Sequence, residues 1–379
     1  MRASTMLVFC VSIFVCGCGG RGLLDPRFMP VYPNGLASTP PMGWSSWYTF
    51  GRDIDEQKIR DVADRMFSSG LAAAGYVLVE VDDGWMASTP GPSGEIIPDP
   101  IRFPSGIRSL ADYCHARGLK LGIYSSVGEA TCLGLPGSYG REQQFARQLA
   151  DWNVDMLKFD WCGQDHGKPV ERFQIMAQEL LRCGRPILYE IVGGRWADWG
   201  PPICNDFRID LDYGGQWERV EPLVRKMLGL SGYQRPGFWP DPDNLHAGQD
   251  AATETQQLSE LKLWAMMRAP LVLGRDPRGM TDAKISQLTD PDIIAANQSS
   301  GKPRTISWPA GDVLVIRRDT DAGKFMSVTN FSGKPLAVKK TSPPGCDSCR
   351  EVLGARTYAS GRIISVSLRP DETLMLRCR

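Results

Sequence analysis

The chain has 379 residues, room for two or three average domains or for one large barrel with an appendage. Lys plus Arg and Asp plus Glu balance at 43 each, which excludes the basic surplus of a nucleic-acid binder. Apolar residues at 42% exclude disorder, and only three histidines (His115, His166 and His246) argue against a His-rich metal centre.

Residues 1–18 read as an export leader. Arg2 supplies the positive start, and residues 6–15 are apolar except for Ser12, a run shorter than the roughly 20 residues of a membrane span. Val15-Cys16-Gly17-Cys18 resembles a bacterial lipobox, although Cys16 departs from the small residue usual at the middle position. Cys18 is therefore the expected lipidated N-terminus of a membrane-attached protein in the periplasm or on the outer surface, with simple secretion as the alternative. Residues 17–22 also spell G-x-G-x-x-G, but no strand precedes them and no helix follows, so no dinucleotide site is expected. Residues 19–38 read as a linker. Cys18 and the eight cysteines beyond the leader are compatible with disulfides in an oxidising compartment.

Residues 42–47 read as the first strand. In 53–70, Ile59, Val62, Ala63, Met66 and Phe67 recur with the helical period and Gly70 is the stop. A strand at 76–81 ends in Asp82-Asp83. A helix at 105–117 leads into a strand at 119–124, one at 143–152 into a strand at 154–160, and one at 170–183 into a strand at 187–192. A strand at 207–211 precedes a helix from Trp217, and a short strand falls near Phe238. Thr253-x-x-Gln256 is a capping-box pattern opening a helix to Arg268, before a strand at 271–273. About eight such units over roughly 250 residues predict an α/β fold, a (β/α)₈ TIM barrel over 39–299. Beyond that the helical period stops. Short strands at 313–317, 324–330, 363–368 and 373–376, separated by Gly, Pro and Asp turns, predict a small C-terminal antiparallel β domain over 300–379.

Barrels of this kind carry their chemistry at the carboxyl ends of the strands. Here those ends hold Trp47, Asp82-Asp83, Tyr124, Lys158-x-Asp160, Arg208-x-Asp210-x-Asp212 and Asp241-x-Asp243. Residues two apart share a strand face, so Lys158 and Asp160 project together, and the ammonium favours the ionised form that a nucleophilic Asp needs. Arg208, Asp210 and Asp212 also share parity, which leaves open which Asp donates a proton. Carboxylates accept hydrogen bonds from sugar hydroxyls, indole faces pack against a pyranose ring, and two carboxyl groups suffice for glycoside hydrolysis. A single Asp at such a place is explained by capping the next helix; seven of them with a Lys, an Arg and several Trp are not. Asp241, Asp243 and His246 make a weaker pattern for Ca²⁺, and no metal is expected.

Several motifs resemble the melibiase family, glycoside hydrolase family 27. They are Thr39-Pro-Pro-Met-Gly-Trp-Ser-Ser-Trp47, Val81-Asp-Asp-Gly-Trp85, Lys120-Leu-Gly-Ile-Tyr124 and Cys132-Leu-Gly-Leu-Pro-Gly-Ser138. Asp155-Met-Leu-Lys-Phe-Asp-Trp-Cys162, Trp239-Pro-Asp-Pro-Asp-Asn244 and Leu263-Trp-Ala-Met-Met-Arg-Ala-Pro270 complete the ordered set. The resemblance implies a retaining, exo-acting α-glycosidase without a cofactor, built as a barrel followed by an antiparallel β domain. It implies Asp160 as nucleophile and, four residues after an Arg that follows an aromatic residue, Asp212 rather than Asp210 as acid/base. Trp47, Asp82, Asp83, Tyr124, Lys158, Arg208 and Asp243 match positions that hold the sugar, and Cys132 and Cys162 match a disulfide between the loops after strands three and four. Cys346-x-x-Cys349 offers half a zinc site at most; a disulfide, with Cys378 a candidate partner, is expected instead.

The sequence departs from the family pattern twice. Gly84 replaces a cysteine, and Val192 stands where the loop after strand five usually carries the Glu of Cys-Glu-Trp, with Glu190 and Arg195 nearby. The expected substrate is a terminal α-galactoside, since the resemblance implies that the Asp82-Asp83 pair holds the 4- and 6-hydroxyls of galactose. The alternatives are an α-N-acetylgalactosaminide, a β-L-arabinopyranoside, or sugar binding without catalysis.

Overall fold

The computed structural model describes residues 30–163, 168–245, 252–307, 313–341, 346–359 and 363–379. The leader, Cys18, most of the 19–38 linker, His166 and His246 lie outside the described residues. Among the described residues no helix is long and apolar enough to cross a membrane.

Eight parallel strands form one sheet: β1 (Met42–Ser45), β2 (Leu78–Val81), β3 (Lys120–Ser126), β4 (Met156–Asp160), β5 (Leu188–Val192), β6 (Asp206–Arg208), β7 (Trp239–Asp241) and β8 (Leu271–Leu273). Their order is β7-β6-β5-β4-β3-β2-β1-β8. The circle closes through Leu245 beyond β7, which bridges Leu273 in parallel and exchanges backbone bonds with Val272 and Gly274. Parallel neighbours need crossovers, and helices supply all of them except the β5–β6 connection, which is made of turns. The helices are α1 (Trp47–Phe50), α2 (Glu56–Ser68), α3 (Gly106–His115), α4 (Glu142–Asp151), α5 (Pro169–Arg182), α6 (Val220–Gly229), α7 (Glu254–Met267), α8 (Asp282–Leu288) and α9 (Pro291–Gln298).

Local chemistry explains the helix ends. The Asp55 carboxylate accepts from Lys58 N–H to open α2, and Thr253 with Gln256 makes the reciprocal capping box of α7. In α2, Ile59, Val62, Ala63 and Met66 are buried, but Phe67 is 58% exposed. At 100° per residue Phe67 sits about 90° from the centre of that stripe, beyond the face that meets the sheet.

Several predicted boundaries shift. Strand one stops at Ser45, and Trp47 begins the one-turn helix α1. The strand expected at 207–211 stops at Arg208, and the chain bends through Asp210 and Leu211, so shared parity does not govern Asp210 and Asp212. Two helices not foreseen, α8 and α9, follow β8, opened by the side chains of Thr281 and Asp290.

The C-terminal strands are antiparallel: β9 (Arg304–Ser307), β10 (Val313–Thr320), β11 (Gly323–Asn330), β12 (Leu336–Thr341), β13 (Ser348–Glu351), β14 (Thr357–Ala359), β15 (Ile363–Leu368) and β16 (Thr373–Cys378). Six form a sheet in the order β14-β13-β16-β11-β10-β9, while β12 and β15 pair separately. Four of the eight, β9, β12, β13 and β14, were not anticipated; they are short, and β12 and β13 carry charged residues. Alternation along β10 divides the core. Leu314 and Ile316 join the barrel's hydrophobic cluster, whereas Val313 and Val315 pack with Val338, Ile364 and Val366 on the other side. Cys349 and Cys378 lie opposite each other in register and form a disulfide; Cys346 stays a free, buried thiol.

Helix α7 is wedged between the two parts of the chain, which is why Ser259 through Met267 are all buried. Ser259 Oγ accepts from Thr373 N–H at 2.8 Å, and Lys262 Nζ donates to Thr373 O at 3.0 Å. The firmest latch is Arg318 on β10, 1% exposed. Its guanidinium donates to the carbonyls of Ala296, Ser299 (3.1 Å), Ser300 (3.3 Å) and Gly301 (3.0 Å), taking up the free carbonyls at the end of α9. Arg318→Leu strands those acceptors in a buried seam. It is expected to cost about 3 kcal/mol or more in urea-induced unfolding.

Candidate active site

At the carboxyl ends of the strands, Trp47, Tyr48, Asp82, Asp83, Tyr124, Cys132, Lys158, Asp160, Val192, Arg208 and Asp212 line one pocket. It encloses about 430 Å³ of empty space, open solvent at its mouth included. The first six strands contribute at their ends because parallel strands of one barrel all point the same way.

Two buried cations organise the walls. Lys158 Nζ donates to Asp82 Oδ2 at 2.8 Å and lies 3.2 Å from Glu80 Oε1. The other oxygen of Asp82 accepts from Asp83 N–H at 2.7 Å, and Ser46 Oγ accepts from Asp82 N–H, which fixes the Asp82-Asp83 turn. Asp83 Oδ2 accepts from Leu133 N–H, while its Oδ1 is buried without a partner among the described residues. Burial pushes the Asp83 carboxyl up to about 6. Opposite, Arg208 Nη2 donates to Asp243 Oδ2 at 2.7 Å and to Asp212 Oδ1 at 3.0 Å.

Asp160 ends β4. It accepts from Trp161 N–H at 2.6 Å and from Tyr124 O–H at 2.9 Å. Burial raises its carboxyl above the usual range, while those two donors and the Lys158 charge pull it back toward the ionised form. Asp212 differs: its side chain is 67% exposed, tethered on one oxygen by Arg208. Asp210 turns away to Lys226 at 3.1 Å. There burial would raise its carboxyl, but the Leu211 N–H and Lys226 outweigh it and the net direction is down.

Asp243 is not in the pocket wall. Its Oδ2 accepts from Tyr48 O–H, Arg208 and Tyr213 N–H, and its Oδ1 from Asn244 N–H, with the residue 1% exposed. It stands behind Arg208 and sets its direction, on a backbone at φ +98° that an Asp tolerates better than most residues. Val192 does line the wall, but Glu190 is buried and Arg195 exposed, and neither lines the pocket.

Cys132 and Cys162 are joined by a disulfide across the loops after β3 and β4. Their sulfurs lie 3.4 and 3.7 Å from Asp160 Oδ2. This trio has metal-like spacing, but sulfurs bonded to each other offer no thiolate. The same rim is drawn tight at Gly128, where any Cβ would come within 2.0 Å of the Gly163 carbonyl oxygen.

Sequence reading missed Tyr48, which adjoins Trp47 and turns its hydroxyl to Asp243. It also passed over Glu80 and Asp206, and placed Asp241 at a strand end rather than in the barrel interior. The signal was present: Glu80, Asp206 and Asp241 each stand two residues before a predicted site residue and so share its inward face.

The family model described as alpha galactosidase A (Melibiase_2) matches residues 39–299. An α-galactosidase A of Cellvibrio japonicus is 38% identical over 328 residues, covering 81% of this chain and 80% of that one. An α-galactosidase of Cyamopsis tetragonoloba is 40% identical over 269 residues, 70% of this chain; the alignment spans 66% of that relative's length. The crystal structure of α-galactosidase I from Mortierella vinacea superposes with a TM-score of 0.82 at 29% identity, covering 91% of this chain and 98% of that one.

Proposed function

This chain belongs to the alpha galactosidase A family of melibiases, and from that premise we propose that it releases terminal α-linked galactose with retention of configuration. It is a glycoside hydrolase. What carries the reading of its mechanism is the convergence of Asp160 and Asp212 on one pocket whose remaining walls are hydrogen-bonding groups, the Trp47 indole, Val192 and the Cys132 sulfur.

Asp160 attacks the anomeric carbon while the glycosidic C–O bond breaks and Asp212 transfers its proton to the departing oxygen. The galactosyl ester on Asp160 then yields to water, whose proton passes to Asp212. Exposure suits Asp212, which must meet both the leaving group and the incoming water. Anchorage suits Asp160, since the Trp161 and Tyr124 donors hold one carboxylate orientation for attack. Asp82 and Asp83 accept from the sugar's hydroxyls, Trp47 offers its face to the ring, and Lys158 and Arg208 hold the carboxylates in place.

Asp160→Ala is expected to lower kcat on an aryl α-galactoside by about 10⁴-fold or more, with azide restoring turnover to the inverted product. Asp212→Ala is expected to lose about 10²-fold or more on alkyl galactosides but far less on nitrophenyl ones, which depart without a proton. Asp210→Ala stays near wild type, and the assignment fails if Asp210 and Asp212 exchange these behaviours.

Specificity at the sugar's 2-position follows from Val192. An apolar wall discriminates by only about 1–3 kcal/mol, whereas a paired hydroxyl site rejects misfits far more strongly. Galactoside is expected to be preferred, with weaker selection at C2 than a Cys-Glu-Trp enzyme shows and sharper selection in Val192→Glu. The check is kcat/KM for aryl α-galactoside, α-N-acetylgalactosaminide and β-L-arabinopyranoside. A tenfold preference for either of the latter two overturns the galactosidase reading.

The lipobox-like Val15–Cys18 segment supports attachment to a membrane through a lipidated Cys18. Mass spectrometry of the native N-terminus is expected to find a diacylglyceryl Cys18, and an unmodified terminus from another cleavage point refutes the anchor.

A further inference from the structure

Beneath the pocket the barrel interior is charged. Glu80, Glu190, Asp206 and Asp241 are each at most 5% exposed, and Asp82 and Asp243 are buried beside them. These six carboxyl groups surround two cations, Lys158 and Arg208. The strand register brings Lys158, Glu190 and Asp206 side by side, and Arg208 beside Asp241. Four uncompensated negative charges in a low-dielectric interior are not tenable, so part of this set holds protons.

Glu80 occupies the most defined place in it. Its Oε1 accepts from Ser45 Oγ at 3.0 Å and lies 3.2 Å from Lys158 Nζ, whose other carboxylate contact is Asp82 at 2.8 Å. The ammonium thus bridges a carboxyl group outside the pocket wall and one that lines it. We propose that Glu80 is a positioning residue for glycoside hydrolysis: it pins the Lys158 ammonium from below, so that Asp82 meets the sugar in one orientation, and its own protonation sets how firmly Lys158 holds Asp82. The inference rests on the glycosidase reading of the pocket above it.

The surroundings of Glu80 support this. Lys158 faces it from β4, Asp82 from its own strand, Glu190 from β5, Asp206 from β6 and the neutral Ser45 from β1. From β3 only Gly122 stands opposite, where a Cβ would already touch the Glu80 side chain. Burial pushes the Glu80 carboxyl up to about 7, with Lys158 pulling down and Asp82 pushing further up. Below that pH a neutral Glu80 leaves the ammonium to Asp82. Above it, an ionised Glu80 competes for the same ammonium and loosens Asp82.

The test uses the full-length enzyme with Glu80→Gln and Glu80→Leu. Wild-type kcat/KM for an aryl α-galactoside is expected to fall above about pH 7 mainly through a rising KM; Glu80→Gln lacks that inflection. Glu80→Leu removes the acceptor and is expected to raise KM about tenfold at every pH, with kcat changing less. An unaltered pH limb in Glu80→Gln, or a folded Glu80→Leu enzyme with wild-type KM, overturns the proposal.

Stability gives a readout that needs no substrate and serves if Glu80→Leu does not fold. A carboxyl raised from its ordinary 4.5 to about 7 keeps its proton in the folded state while the unfolded chain ionises. Wild-type stability therefore declines between those pH values relative to Glu80→Gln, and the difference is constant above them. A Tm difference that does not grow across that window refutes the protonated Glu80, whereas growth without any galactosidase activity would fault the functional reading instead.

Discussion

The site depends on keeping an ammonium and a guanidinium charged inside a barrel. Taking Lys158 and Arg208 out of water is costly, and each is tolerated only because carboxylates meet it at hydrogen-bond distance. That requirement dictates the layout above. Lys158 fixes Asp82 on one wall and lends its positive charge to Asp160 two residues along the same strand; Arg208 fixes Asp212 on the other. Of the two carboxylates proposed for hydrolysis, Asp212 is tethered directly by the buried Arg208, whereas Asp160 is held by the Trp161 and Tyr124 donors with the Lys158 charge nearby. Removing a partner leaves an uncompensated charge, so the same residues matter for stability and for chemistry.

The scaffold keeps those groups rigid by spending its irregularity on the carboxyl-end loops. Strands of three to seven residues are short, and the long connections after β2 and β3 build the rim. That rim is stiffened twice, by the Cys132–Cys162 disulfide and by the backbone contact at Gly128. On the flank, α7 is covered by the barrel on one side and the C-terminal sheet on the other, and Arg318 ties that sheet to the end of α9. The β domain acts as part of the barrel's wall, since Leu314, Ile316, Phe325 and Met375 complete the barrel's own hydrophobic cluster.

Much of the barrel was legible because it is written in local rules. The periodic Ile59, Val62, Ala63 and Met66, the Thr253–Gln256 capping box and the strand at 271–273 are properties of a few consecutive residues, and the structure reproduces them. The motifs around Asp82, Lys158, Asp160 and Arg208 likewise pointed to strand ends that meet in one pocket. Reading failed where neighbours in space decide. Phe67 follows the helical period yet faces outward, and the four unforeseen C-terminal strands gain their regularity from pairing with partners distant in the chain.

By itself the sequence determined the alternation of strands and helices through the eight barrel strands, the polar residues at the strand ends and the family to which the motifs belong. Those follow from short-range periodicity, capping and spacing. Tertiary structure alone decided that Asp210 pairs with Lys226, that Asp243 stands behind Arg208, and that Glu80 shares an ammonium with Asp82. The strand ends at Arg208, so alternation says nothing about the two aspartates beyond it. Burial and charge pairing arise between strands far apart in the chain, and no window of consecutive residues contains both partners.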